Sequence, residues 1–522
     1  GESSKSKINK IVKYLKKNKS DYLFVSAPEN VAWILNIRGG DGPNSPVPNS
    51  RLIISKTKKI FLISKIYKTE KLIKDKIIKS KEVIDVNKFH QEIVKLNGKN
   101  FIIDNKSCSI FYEDIIKSKF RIVKREDPTY LLKSVKNKIE INNTINSHII
   151  DGVALTKFIY WIKNINKKKI TEVEAQNKLE KFRKMNENYL YPSFDTIAGS
   201  GENGAIVHYR AKKENCRTIN KTDIFLCDSG GQYKYGTTDV TRTICFSKPK
   251  SQIKDIFTKV LKGHIAVANT DLKKDNTGKK IDARARKFLN KSNLDYAHGT
   301  GHGVGFFLNV HEGPQAITKI NSIKIKEGMI LSNEPGYYQK GKFGIRIENL
   351  VFVKKNKNKI FFENLTLAPI EKDLINYKPN FILGTIEKFK EYPVLYTDAD
   401  MYPTQYLELF DQSHFDCMLY NARSGIADQF HNTLTMEKLC YMVDSMNISG
   451  GTMYWSNSSA SKNALKLGRN DSNYGTILLG KGDGCFYTVT PTEAGINIQG
   501  DVSDVVEIET VLYIAKSDQK LS

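Results

Sequence analysis

A chain of 522 residues that is 40% hydrophobic is long enough for two or three domains with buried cores. Its formal charge of +26 raises the question of a nucleic-acid partner, yet residues 1–377 carry a net +33 (71 Lys and Arg against 38 Asp and Glu) and residues 378–522 a net −7. The excess is Lys scattered among Ile and Asn, without a basic stripe interleaved with stacking aromatics, which argues against specific nucleic-acid binding.

The seven Cys include no C-x-x-C pair. That leaves neither zinc spacing nor a disulfide framework and predicts reduced thiols in a cytoplasm. No apolar run is long enough to cross a bilayer, and no apolar signal core comes after the opening Gly1-Glu-Ser-Ser, so no membrane association is expected.

In chain order, Ile8 to Leu15 has the spacing of an amphipathic helix and Tyr22 to Val25 that of a short strand. A Gly/Pro/Asn-rich loop, Gly39 to Asn49, separates Trp33 from two apolar runs, Arg51–Ile54 and Lys59–Ile63, that predict a hairpin. These features place an α/β domain over residues 1–130. Ile141, Ile145, Ile149, Phe158 and Ile162 recur at helical spacing and predict the buried stripe of a long helix. Thr171 and Glu174 form a capping-box pattern for the next helix, which buries Leu179 and Phe182. From Ser193 to Val353 strands and Gly-rich turns dominate, with helices near Ile253–Ile265 and Ile281–Leu289.

Within that stretch one imidazole and four carboxylates stand out. Ile224 to Asp228 predicts a buried strand, Ser229–Gln232 a turn, and Thr237–Phe246 a returning strand that carries Asp239. Gly344 to Leu350 has period two, so Arg346 and Glu348 share one face and Ile345 and Ile347 the other. Glu334 lies in Ser332-Asn-Glu-Pro-Gly336, and His302 is flanked by Gly301 and Gly303, which permit close backbone approach. Singly, each has a bland account: Asp228 as a turn residue, Glu348 as a surface strand residue, His302 as a satisfied core histidine. Together, acidic residues at matching places on apolar strands, with one His, are a donor set for hard divalent cations. Two such ions a few Å apart can share a hydroxide and hold it against a peptide carbonyl. The glycines of 299–305 do not fit G-x-G-x-x-G and do not lead from strand to helix, which excludes a dinucleotide loop.

The motifs are Ser193-Phe-Asp-Thr-Ile-Ala-Gly-Ser-Gly201, Gly204-Ala-Ile-Val-His-Tyr209, Cys227-Asp-Ser-Gly-Gly-Gln through Asp239-Val-Thr-Arg-Thr243, His298-Gly-Thr-Gly-His302, Asn309-Val-His-Glu-Gly-Pro314, Ser332-Asn-Glu-Pro-Gly-Tyr-Tyr338 and Gly344-Ile-Arg-Ile-Glu-Asn349. With them, residues 1–376 resemble aminopeptidase P, the Xaa-Pro aminopeptidases of the creatinase/methionine-aminopeptidase superfamily. The resemblance implies an α/β chain with a creatinase-like N-terminal domain (1–130) and a pita-bread metallopeptidase domain (131–376). It implies two divalent metal ions, Mn²⁺ in the first place with Zn²⁺ or Co²⁺ as alternatives. Asp228 and Asp239 would bind one ion, with Asp239 bridging to the second. His302 and Glu334 would complete the second ion's shell, and Glu348 would bridge both.

In this family Glu334 doubles as general base, His208 and His311 contact substrate and stabilise the oxyanion, His298 lies beside them, and Arg346 orients a ligating carboxylate. The partner is then a peptide with proline second, and a homodimer is a further possibility. Prolidase, a non-catalytic peptide-binding member of the fold, and a chimeric peptidase–glycosyltransferase chain are the rival readings. An intact ligand set argues against the non-catalytic one. The resemblance also sets expectations that this chain does not meet: a further creatinase-like domain ahead of the first, and a C-terminal helical segment after Glu363-Asn-Leu-Thr-Leu-Ala-Pro-Ile370.

Past Asn376 the resemblance changes, and residues 377–470 are similar to a fragment of a nucleotide-sugar glycosyltransferase. Tyr392-Pro-Val-Leu-Tyr-Thr-Asp-Ala-Asp-Met401 presents a D-x-D pair, Asp398 and Asp400, as a vestigial metal and nucleotide site, and Asn447–Asn457 resembles an acceptor-side strand. The nucleotide-binding strands that should precede Tyr377 are replaced by peptidase sequence, so this foreign α/β segment is not expected to transfer sugar. Residues 471–522 are expected to be an unassigned β-rich tail.

Overall fold

Tyr22–Val25 is buried along its whole length because it lies at the centre of a six-stranded sheet. The strand order is Val83–Asp85, Ile60–Ser64, Arg51–Ser55, Tyr22–Val25, Asn100–Ile103, Arg121–Lys124. The sheet is mixed: Tyr22–Val25 runs antiparallel to Arg51–Ser55 and parallel to Asn100–Ile103. Leu23 and Val25 face Ile11, Val12 and Leu15 of the helix Ser4–Lys17, together with Val31 and Ile34 of the helix Pro28–Leu35. Tyr22 and Phe24 face Phe89, Ile93, Ile116 and Phe120 on the other side. Helices on both faces require an apolar residue at every position of the central strand. The predicted hairpin forms, with Ile54 opposite Ile60.

The structure is a computed structural model that describes residues 1–165 and 169–376 and, beyond them, a few short strands. Residues 1–376 form one unit and residues 377–522 another. In the second unit only short strands are described, among them Ile477–Gly480, Phe486–Val489, Val502–Ile508 and Val511–Lys516 in one antiparallel sheet. Asp398 and Asp400 lie outside the described residues. Among the described residues, no helix is long and apolar enough to cross a membrane, and the four cysteines found there are free.

The long helix runs from Lys138 to Asn164 and is capped by Asn137 with Glu140. Its buried stripe differs from the expectation. Phe158 and Ile162 are buried, but Ile149 is 46% exposed, and the inward face carries Thr144, Ser147, His148 and Asp151. The reason is a buried ion pair. Arg183, at the end of the helix Glu172–Arg183, donates to Asp151 through Nε (2.7 Å) and Nη2 (3.2 Å), and Tyr233 donates to the same carboxylate at 2.6 Å. A charge pair out of water needs such a full set of partners. The Thr171–Glu174 capping box forms as expected.

Four small sheets, two of three strands and two of two, and one of five strands complete the first unit. Ile224–Ser229 is the middle strand of a three-stranded sheet, between Val240–Cys245 and Ile197–Ser200. The expected turn at Ser229–Gln232 is not one. The chain continues as a second short strand, Gly231–Tyr233, and turns only at Lys234–Tyr235 before Gly236–Thr237. Asp239 therefore sits in the break between Gly236–Thr237 and Val240–Cys245, not inside a strand. The five-stranded sheet has the order Glu312–Ile317, Gly301–Gly303, Ile330–Asn333, Asn349–Asn356, Lys359–Asn364.

Gly344–Leu350 is not one strand either. Phe343–Arg346 pairs with Gly336–Gln339, and a new strand begins at Asn349 against Ile330–Asn333. Ile347 and Glu348 bridge the change of partner. The helices Ser251–Ala268 and Gly278–Asn290 fall where the sequence places them.

Candidate active site

Each acidic residue of the constellation stands where a strand ends or changes partner, so its side chain leaves the pairing plane. Asp228 is the penultimate residue of Ile224–Ser229, and Thr241 is its cross-strand partner. Glu334 comes directly after Ile330–Asn333, and its N–H donates to Thr300 O at 2.8 Å. Glu348 lies in the joint between Phe343–Arg346 and Asn349–Asn356, with its N–H on Thr241 O at 3.2 Å. His302 occupies the short strand Gly301–Gly303. A Cβ at Gly301 would stand 2.0 Å from Ser332 O, and one at Gly303 would stand 2.3 Å from Glu312 O, so both positions need glycine.

The five side chains meet. His302 Nε2 is 3.3 Å from Asp239 Oδ2 and 3.5 Å from Glu334 Oε1. Donor atoms of Asp228, Asp239 and Glu348 all lie within 4.8 Å of one another, as do those of His302, Glu334 and Glu348. Glu348 is common to both groups. Asp239, His302 and His311 form a third group at the same spacing. His302 Nδ1 stands 2.9 Å from Gly303 O, which can only accept. The proton is therefore on Nδ1, and Nε2 turns its lone pair toward the carboxylates, the tautomer a metal ligand requires.

Arg346 is buried and organises the carboxylates. Its Nη2 donates to Asp228 Oδ2 at 2.7 Å, its Nη1 to Tyr338 Oη at 2.6 Å, and its Nε to Thr241 Oγ1 at 3.1 Å. Thr241 Oγ1 in turn donates to Glu348 Oε2 at 2.7 Å. Ser332 Oγ accepts from His302 N (3.0 Å) and donates to Glu334 Oε1 (3.1 Å). Arg242 holds the peptide of Glu348. It donates to the carbonyls of Glu348, Thr241, Ala368 and Pro369 and to Asn349 Oδ1.

The electrostatics call for cations. Burial, with the neighbouring carboxylates, pushes Asp239 and Glu348 well above the usual carboxylate range; burial also raises Asp228 against the pull of Arg346. Burial acts the same way on Glu334, but His302, His298 and Arg346 outweigh it and hold that carboxyl below its ordinary value. Asp228 Oδ1 is buried with no hydrogen-bond partner. A buried carboxylate oxygen left unpaired beside three other acids is unfavourable. Carboxylate oxygens with one imidazole nitrogen suit divalent ions such as Mn²⁺.

The remaining predicted residues sit at the edge of this cluster. The His311 ring lies edge-on to the His302 ring with centroids 4.1 Å apart. Burial, then His302 and His208, push His311 down to about 4. His208 is exposed. His298 is half-buried, with Nδ1 on Gly299 O and Nε2 on Tyr338 Oη at 2.8 Å. It also lines a cavity of about 550 Å³ with Tyr296, Thr318 and Ile320. Cys227 and Cys245 are buried and their thiols pushed up to about 12 by burial, far from thiolate chemistry.

The sequence alone does not single out Thr241, Arg242, Ser332 and Tyr338. All four lie inside the quoted motifs, but a hydroxyl or guanidinium gives no signal until its acceptor is known.

Residues 143–355 match the metallopeptidase family M24, and residues 1–140 match the creatinase/prolidase N-terminal domain. A probable Xaa-Pro aminopeptidase P of Pyrenophora teres f. teres is 38% identical over 403 residues, covering 72% of this chain and 61% of the relative. Another, from Leptosphaeria maculans, is 35% identical over 412 residues, covering 74% of this chain and 67% of the relative. The chain thus spans about three-fifths to two-thirds of the length of these relatives.

Among solved structures, the X-prolyl aminopeptidase from Caenorhabditis elegans, described as a cytosolic enzyme with a di-nuclear active site, superposes with a TM-score of 0.65 at 29% identity. The match covers 72% of this chain and 64% of that one. A prolidase from Pyrococcus horikoshii OT3 superposes with a TM-score of 0.57 at 27% identity, covering 70% and 99%.

Proposed function

Because the chain belongs to the Xaa-Pro aminopeptidase P family, within metallopeptidase family M24, we propose that it is a two-metal aminopeptidase that releases the N-terminal residue from peptides with proline second. The observation that carries this reading is the sharing of Glu348 between two donor groups in one buried cluster. In it Asp228 and Asp239 would hold one divalent ion, His302 and Glu334 the other, and Asp239 and Glu348 would serve both. When bound, the ions polarise the scissile carbonyl and lower the pKa of water so that a carboxylate suffices as base at neutral pH.

The protein's own groups do the rest. Glu334, kept ionised by His302, His298 and Arg346, accepts the proton of the attacking water at a carboxylate oxygen. His311, neutral at physiological pH, and His208 donate to the carbonyl oxygen as it gains charge. His298 contacts the substrate, and Arg346 keeps Asp228 in register.

Mn²⁺ is the ion we propose, because four of the five ligands are hard carboxylates. Purified protein with Mn²⁺ should cleave Xaa-Pro-Yaa peptides and leave Xaa-Ala-Yaa intact. Cleavage of Xaa-Pro dipeptides alone would move the assignment to prolidase, and equal rates on both tripeptides would remove the proline preference.

The chain is further proposed to act in the cytoplasm, with a second copy of itself as its partner. Its domains are taken as 1–130 and 131–376, then a glycosyltransferase-like fragment (377–470) and a tail (471–522) that neither cleave peptide nor transfer sugar. The reversed charge beyond residue 377 and the missing first half of a nucleotide site support that last point.

A further inference from the structure

His311 has a substrate-facing role in the proposed reaction, yet among the described residues its ring makes no hydrogen bond; it meets the His302 ring edge-on and has a ring nitrogen within 4.8 Å of Asp239. Its position is therefore inherited from the backbone of the segment Val304–Glu312, and that segment is held from elsewhere. At its far end Glu312 is buried, and its carboxylate takes two lysines. Lys133 Nζ donates to Oε2 at 3.0 Å, and Lys136 Nζ donates to Oε1. All three side chains are 1% exposed. Near its other end Arg38 donates through Nη2 to Phe306 O at 3.0 Å and through Nε to Phe307 O.

Arg38 lies within the proposed N-terminal domain, and Lys133 and Lys136 lie just past its proposed boundary at 130 but inside the region matched by the creatinase/prolidase N-terminal domain (1–140), whereas the segment they hold lies in the region matched by family M24 (143–355). The lysines are themselves fixed: Lys136 N donates to Gly328 O at 2.9 Å, and Val135 bridges Met329.

Two lysines and one glutamate taken out of water are a poor source of stability, since apolar residues of the same volume serve as well or better. What the triad supplies is a fixed point. Glu312 pairs with Gly303 across the strands, next to His302, so locking the Glu312 side chain fixes the peptide that joins it to His311. We propose that Arg38, Lys133, Lys136 and Glu312 are positioning residues through which the N-terminal region holds His311 against the site. This inference rests on the proposed peptidase function and deepens it. The N-terminal region is part of the catalytic apparatus without touching the reacting atoms.

The test is a double-mutant cycle in the full chain with Mn²⁺ and an Xaa-Pro-Yaa peptide. Lys136→Met and Arg38→Met should each lower kcat by about tenfold with little change in KM, the loss typical of a misplaced group. In a His311→Ala background the same substitutions should lower it less than twofold, because the residue they position is gone. Equal losses in both backgrounds would overturn the inference while leaving the peptidase reading standing. If Lys136→Met does not fold, Lys133→Met replaces it, since Glu312 then keeps Lys136.

A second readout needs no turnover. In metal-free, histidine-labelled protein the His311 imidazole resonance should shift or broaden in the variants, with the exposed His90 as the unchanged control. If the wild type cleaves no peptide, the proposed function fails, and this resonance alone decides: an unmoved His311 signal overturns the positioning role.

Discussion

Arg346 and Asp228 stand 118 residues apart in sequence and 2.7 Å apart in space, the guanidinium Nη2 donating to a carboxylate whose other oxygen has no hydrogen-bond partner. The same planar group reaches Glu348 through Thr241 and braces Tyr338. A lysine ammonium cannot span three acceptors set in one plane. Arg346→Lys should therefore weaken Mn²⁺ binding and turnover together, each by about 10- to 100-fold. Calorimetric titration with Mn²⁺ and a cleavage assay on one preparation check this. A variant that binds metal normally would restrict Arg346 to packing.

Glu334→Gln separates ligation from proton transfer. The amide keeps an oxygen for the ion, but it cannot take a proton. Turnover should fall by about 10²- to 10⁴-fold, while elemental analysis still finds close to the wild-type metal content. Unchanged turnover would rule out Glu334 as the base.

His264 supplies a pH signature away from the cluster. It is buried, its Nδ1 donates to Asn333 O at 3.0 Å, and Asn333 Nδ2 returns a bond to His264 O at 2.9 Å, next to Glu334. Burial, then Arg242, push it down to about 3 from 6.5. Below pH 6.5 the unfolded chain therefore binds a proton that the folded one refuses. The contribution of His264 to stability is complete above pH 6.5 and drains away as the pH falls toward 3. His264→Gln, which does not titrate, should show a deficit relative to wild type that is largest at pH 7.5 and smaller at pH 4.5, read from urea midpoints of metal-free protein. A deficit that grows on acidification would contradict the assignment.

Arg183→Met probes the buried pair beneath the site. It strands Asp151 in a low-dielectric interior with only Tyr233 for company. The expected loss is about 3–5 kcal/mol of unfolding free energy, measurable by chemical denaturation. Replacing both partners together (Asp151→Leu with Arg183→Met) should recover most of it, because neither leaves a charge behind.

The sequence announces the apolar framework and the acidic residues and hides what fixes them. Leu23, Phe24 and Val25 had to be a buried strand, and Ile224–Cys227 likewise. The turn at Lys234–Tyr235 is hidden because Ser229-Gly-Gly looks more turn-like than the residues that do turn. Its period places Ile149 inward, but Asp151 and Arg183 turn a polar face inward instead, and no periodicity reports a partner 32 residues away. Lys133 and Lys136 were invisible for a different reason: among so many solvated lysines, two buried ones look alike until Glu312 is seen between them.

Removing everything after Asn376 should leave cleavage of Xaa-Pro-Yaa peptides within about twofold of the full chain, because the acidic cluster and its supports all lie upstream of Asn376. Asp398→Asn in the full chain should change neither cleavage nor the binding of nucleotide sugars, which is expected to be undetectable. Metal-dependent sugar-nucleotide binding lost in that variant would restore a role to the D-x-D pair.

The hydrogen bonds of Arg242 act as a bracket, tying Ala368 and Pro369 to the peptide of Glu348. Mechanically, a pull on the chain downstream of Pro369 that overcomes the Glu371–Lys163 pair and the buried Leu374 is taken up at that guanidinium before it can reach Glu348. Cargo appended there, whether a fluorophore, a surface tether or another coding sequence, hangs from a point that does not yield. Force spectroscopy through a handle after Asn376 should meet resistance first at the buried Leu374 and the Glu371–Lys163 ion pair and then at Arg242, and Arg242→Ala should remove that last stop before Glu348.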